Sequence, residues 1–168
     1  MPTYTQIGSA VVVGSGGQAT ITFTSIPSTY TDLVLLTSIR TSSTPSGAVT
    51  ISFNGSSASM TTRAIYGNGS STASYSASNS LGGLVNISTT TSSTFANSQL
   101  YIPNYAGSTN KSSSMDGVSE NNATGANQFL NANLWSNTAA ITSITLTPEG
   151  GDNVAQYSTA YLYGVSNA

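Results

Sequence analysis

Histidine and cysteine are both absent from these 168 residues, and charge is nearly absent too. Without imidazole, the usual proton-transfer group near neutral pH is missing, and a Ser-His-Asp arrangement has no base. With neither thiolate nor imidazole, zinc and iron–sulfur centres lack a ligand set, and no disulfide can brace the fold. Only 5% of the residues are charged, against about a quarter in ordinary soluble domains. The cations are Arg40, Arg63 and Lys111. Three cations cannot neutralise a phosphate backbone, so no nucleic-acid partner is expected. The longest apolar run is Ala10–Val13, far short of the roughly 20 residues that cross a bilayer as a helix, and no membrane partner is expected. Met1-Pro2-Thr3 lacks the basic start and apolar stretch of a secretion signal.

What the chain has instead is hydroxyl. Serine (31) and threonine (25) fill 56 positions, so the surface is solvated by hydroxyl, amide and backbone groups rather than by ions. With 38% hydrophobic residues and a net charge of −2, the signature of disorder is missing. Little electrostatic repulsion opposes contact between such surfaces, which points to life in an assembly.

Apolar residues alternate with Ser and Thr at period two, the mark of half-buried strands. The alternation is clean in Gln18–Ile26 and Val49–Phe53, which stops at the turn pair Asn54-Gly55. Asp32–Thr41 is the most apolar stretch and reads as a central strand. Thr61–Tyr66, Leu84–Ser88, Phe95–Ile102 and Ile141–Leu146 add further strands, as does Ala155–Val165. Gln128–Ser136 alternates, with Leu130 opposed by Asn131, and carries the only Trp. Ser112–Asn121 reads as an edge strand, and 67–80 reads as a long polar loop. No βαβ alternation, repeat or linker appears. The pattern predicts one domain over 1–168, an all-β antiparallel two-sheet sandwich of jelly-roll type with eight to ten strands.

Several segments carry a resemblance: Tyr4–Ile7, Ala19–Phe23, Ile26–Leu35, Ile51–Gly55, Ala64–Ser70 and Tyr161–Val165. Together they resemble small jelly-roll virion proteins of tailed bacteriophages, especially those of aquatic and cyanobacterial hosts, over nearly the whole chain. The resemblance implies a structural role on the virion, as a capsid decoration (cement) protein or part of a tail fibre. It also implies a homo-oligomer, often a trimer, with the major capsid protein or other virion proteins as partners. It supplies no catalytic residues.

The residues themselves offer little chemistry. Asp116 and Glu120, on one face of a strand, would lie about 13 Å apart, beyond the separation that either glycosidase mechanism uses. Glu149 and Asp152 flank Gly150-Gly151 and read as turn acids, with Ca²⁺ binding as the alternative. No catalytic residue, cofactor or metal is expected. The candidates for an interface are aromatic or cationic: Tyr75 in the polar loop, Tyr66 and Tyr105 near loops, Trp135, Arg40 and Arg63. For Trp135 a core position is the stronger reading, and for the two arginines a local pair, for instance with Asp32, weighs equally. The leading expectation is a decoration protein that stabilises the shell it binds; the alternative is a tail-fibre head that recognises host glycans.

Overall fold

The computed structural model describes residues 1–43, 47–122 and 126–166, apart from the side chains of Ser80 and Leu81. Period-two alternation becomes strand in almost every stretch that shows it. The described residues form β1 (Thr3–Gln6), β2 (Val11–Val12), β3 (Ile21–Phe23), β4 (Asp32–Ile39), β5 (Ala48–Phe53), β6 (Met60–Gly67), β7 (Thr72–Ala77), β8 (Ser80–Leu84), β9 (Ala96–Pro103), β10 (Lys111–Val118), β11 (Gln128–Trp135), β12 (Ile144–Pro148) and β13 (Thr159–Ser166).

Eight of these make the jelly roll. β1 pairs with β13, β3 with β12, β4 with β9, and β5 with β8, all antiparallel. That is a long hairpin of four strand pairs. Rolled over on itself, it gives one sheet with the order β1-β13-β4-β9 and another with the order β3-β12-β5-β8, as observed. The sandwich is therefore of jelly-roll type. There are thirteen strands rather than the eight to ten expected, because β2 adds a short rung to β13 and two excursions leave the roll. One lies between β5 and β8 and forms β6-β7; the other lies between β9 and β12 and forms β10-β11. Both excursions add to the free side of β9, so the larger sheet runs β1-β13-β4-β9-β10-β11-β6-β7.

An apolar layer fills the space between the sheets. Leu33, Leu35, Leu100, Ile102 and Leu162 face it from the larger sheet, and Ile21, Ile51, Phe53, Ile144 and Leu146 from the smaller. Trp135 meets Phe53 edge to face, with ring centres 5.5 Å apart. The turn pair forms as expected. Asn54 and Gly55 both have positive φ (53° and 74°) and Phe53 and Ser56 exchange backbone hydrogen bonds, a two-residue I′ turn. The Asn54 side chain also ties down the approach to β12, accepting from the Thr142 amide at 2.8 Å and donating to the Ala140 carbonyl at 2.8 Å.

Three expectations need correction. Ser112–Asn121 is not an edge strand: β10 pairs with both β9 and β11 inside the larger sheet. Residues 67–80 are not one long loop: Thr72–Ala77 pairs with β6 along its length, leaving a tight turn closed by the Asn68 carboxamide, which accepts from the amides of Ser70 and Ser71. A sheet-edge hairpin can be solvated along its free side, so Thr, Ala and Ser suffice to build it. Nor does a strand run from Leu84 to Ser88; it ends at Leu84.

Close approach explains two strand glycines. The Phe129 ring occupies the space where a Cβ on Gly83 or Gly117 would stand, at 2.2 and 2.4 Å. Gly117→Ala should therefore cost about 1–3 kcal/mol through overpacking. The expected sign is a lower urea midpoint with an unchanged circular dichroism spectrum; Phe129→Leu does not restore it, because the Asn97 carbonyl oxygen also stands 2.7 Å from that Cβ position.

Candidate functional site

β11 has an inverted arrangement. Phe129, Asn131, Asn133 and Trp135 point into the protein, while Leu130, Ala132 and Leu134 point out. Asn131 and Asn133 are 1% and 5% exposed, yet Leu130 is 50% exposed. Register explains the choice. A slip of one residue would bury the two leucines but expel a Phe and the only Trp, and each large aromatic removes more apolar surface from water than a leucine does. One inward amide oxygen is met by a polar neighbour, the Thr62 hydroxyl donating to Asn133 Oδ1 at 2.6 Å, while Asn133 Nδ2 is buried without a hydrogen-bond partner among the described residues.

The consequence is an outer face on the larger sheet that sets large apolar side chains among Ser and Gln. In register across the strands, Leu36 lies beside Gln99, then Asp116, Leu130, Ile65 and Ser74. The next row runs Val34, Tyr101, Ser114, Ala132, Arg63, Ser76. Ten large apolar residues stay exposed among the described residues. Leu36, Ile65, Tyr101, Val118, Leu130 and Leu134 share this face, and Tyr4 and Val12 stand on the same side towards the other edge. On the strands β4 to β7, Asp116 and Arg63 are the only charges pointing outwards from it, apart from Asp32, which lies buried at its border. Asp32 accepts hydrogen bonds from the Tyr101 hydroxyl and the Asn104 amide.

Shallow, open grooves score this face. One is lined by Arg63, Ile65, Ser76, Leu130 and Ala132, and its neighbour by Tyr66, Thr72, Asp116, Gln128 and Leu130. Neither gathers convergent titratable groups. Among the described residues, no three His, Cys, Asp or Glu side chains come together as a metal site would need.

The sequence candidates scatter. Arg63 lies on the outer face, where its side chain hydrogen-bonds the Thr62 carbonyl. Tyr66 and Tyr75 meet on the opposite side of the sheet, half-buried, with ring centres 6.0 Å apart and planes tilted by 56°. Burial raises the Tyr75 phenol above its ordinary pKa, and the nearby charge of Glu149 adds to the effect. Tyr105 and Trp135 are core residues, 0% and 3% exposed, and so are unavailable to a partner. The Tyr105 hydroxyl donates to the Pro27 carbonyl. Arg40 is turned into its own chain: its guanidinium donates to the carbonyls of Ser88, Thr90, Thr91 and Thr94. The local partner is thus a ring of carbonyls and not Asp32. Asp116 sits on β10 while Glu120 lies beyond its end; Glu120 caps the Asn122 amide. Glu149 and Asp152 bracket a 3₁₀ turn over Glu149–Gly151. Sequence reasoning missed Leu36, Ile65, Val118, Leu130 and Leu134, whose alternation marks a strand without marking which side is in.

No family model matches the chain, and comparison with curated proteins and with solved structures yields no match either.

Two measurements check these placements. Arg40→Lys replaces a planar fork by a point charge that cannot reach four carbonyls, and should lose about 1.5–3 kcal/mol of stability in urea unfolding. Burial raises the Tyr105 pKa. The folded state therefore binds that proton more tightly than the unfolded state, and the contribution is whole below about pH 10 and lost above it. Tyr105→Phe should be less stable at pH 8 by about 1 kcal/mol, yet its urea midpoint should fall less steeply between about pH 9.5 and 11.

Proposed function

We propose that this is a bacteriophage virion structural protein, a capsid decoration protein that binds the assembled head shell and stabilises it. The observation that carries the reading is the outer face of the larger sheet: broad, nearly free of charge, with Leu36, Ile65, Leu130 and Leu134 exposed among Ser and Gln, and made at the expense of putting asparagines inside. Exposed apolar patches of this kind mark surfaces that other proteins cover. The grooves are too open to enclose a small molecule, which pockets normally bury by 70–90%. One outward arginine does not suit a polyanion. The likeness in sequence to small phage virion proteins supplies the compartment. The mechanism is mass action: a protein that binds only the assembled shell shifts the equilibrium towards it. Oligomerisation multiplies weak contacts through effective concentration.

One observation favours a second reading, a tail-fibre head that binds host glycans. Tyr66, Tyr75 and Glu149 gather at one corner. Aromatic rings can stack on sugar faces while a carboxylate accepts sugar hydroxyls.

The purified protein should co-sediment with heads that lack it and raise the temperature at which they rupture. Tyr75→Ala should leave this unchanged. If the protein ignores heads but adsorbs to host cells, with Tyr75→Ala abolishing adsorption, the decoration reading fails and the glycan reading stands.

A further inference from the structure

We propose that the outer face of the larger sheet is a two-fold interface at which two copies of this chain pack sheet against sheet. The inference rests on the proposed reading only in taking this face as one that a protein covers: it assigns that cover to a second copy, so that the pair meets the shell with its remaining surface.

Size comes first. The six strands from β4 to β7 span about 29 Å at ordinary strand spacing, and eight residues of strand run about 26 Å. That gives roughly 750 Å² in plane, close to the ~800 Å² that each partner contributes to a standard stable interface. A face of this extent that leaves Leu130 half exposed and Ile65 60% exposed is of the kind that another protein covers.

Charge comes second. Arg63 and Asp116 lie on β6 and β10, two strands apart and two residues out of step, with Ala132 and Leu130 of β11 between them. Ideal spacing puts their Cα atoms about 12 Å apart. Neither has an ion-pair partner among the described residues; the Arg63 side chain reaches only the Thr62 carbonyl. A two-fold axis lying in the face and passing through β11 between Leu130 and Ala132 exchanges the two positions. Arg63 of each copy then meets Asp116 of the other, twice over. With the same spacing, that operation sets Leu134 over Tyr101 of the second copy and Ile65 beside its Leu130, with strands crossing at about 70°, near the orthogonal class of sheet packing. One choice of axis thus pairs both charges and buries the four apolar residues, as a self-complementary interface requires.

Sedimentation equilibrium on the full chain tests this. The wild type should be a dimer at micromolar concentration. Leu130→Glu places two carboxylates near the axis and should weaken dimerisation at least about 100-fold. Leu130 is exposed in the single chain, and circular dichroism should confirm that this variant folds. Arg63→Asp and Asp116→Arg should each weaken the dimer about tenfold or more, and the double variant should recover most of the loss. A monomeric wild type overturns the proposal, as does a closed trimer, because an isologous face closes at two copies. Failure of the double reversal to rescue also overturns it. Binding to heads is a separate readout, so loss of the dimer and loss of the decoration reading can be told apart.

Discussion

Everything in this molecule is held in place by the apolar layer between two sheets whose strands come from distant parts of the chain. β13 lies between β1 and β4, and β12 between β3 and β5. Neither sheet can form without the far end of the sequence. With almost no ions available, the layer of Leu, Ile and Phe between the sheets supplies the main driving force. Hydrogen bonding supplies order more than net energy. The many Ser and Thr residues outside that layer are free to solvate the surface without competing for the core.

The three cations show how strictly charge is handled. Arg40 is absorbed by the carbonyls of the 88–94 loop. Lys111 is buried, its ammonium donating to the carbonyls of Gly107 and Thr109, and burial holds its pKa below the usual lysine range. Only Arg63 is presented outward on a strand. A formal count of three positive charges therefore becomes a single outward cation, and the face it sits on carries a single matching anion.

The fold was largely legible in the sequence because alternation, Asn-Gly and glycine-rich turns act locally. β3, β4, β5, β9 and β12 all follow from it. The excursions were harder. β7 has no apolar alternation, since an edge strand of Ser, Ala and Thr needs none, and so it resembled a loop. Gln128–Trp135 alternates, but Leu130 and Leu134 compete with Phe129 and Trp135 for the inside, and only packing against Gly83 and Gly117 decides the winner. The site residues suffered for the same reason. Tyr105 sits in a turn, where aromatics are often exposed, yet this turn folds inward and hands its hydroxyl to Pro27. Arg63 could be placed by its neighbours; Arg40 depended on a loop some fifty residues away.

The position of β13 also bears on how the chain is made. Among the strands of this sandwich, the one that fills the gap between β1 and β4 is synthesised after the other twelve. Until it arrives, both neighbours carry unpaired backbone edges on a polypeptide with little charge to keep such edges apart. Synthesis therefore passes through a stage in which nascent chains are prone to stick to one another. Slow, long-range closure makes that stage last, and yield from the cell should respond to temperature and chaperone supply more than to the stability of the finished protein.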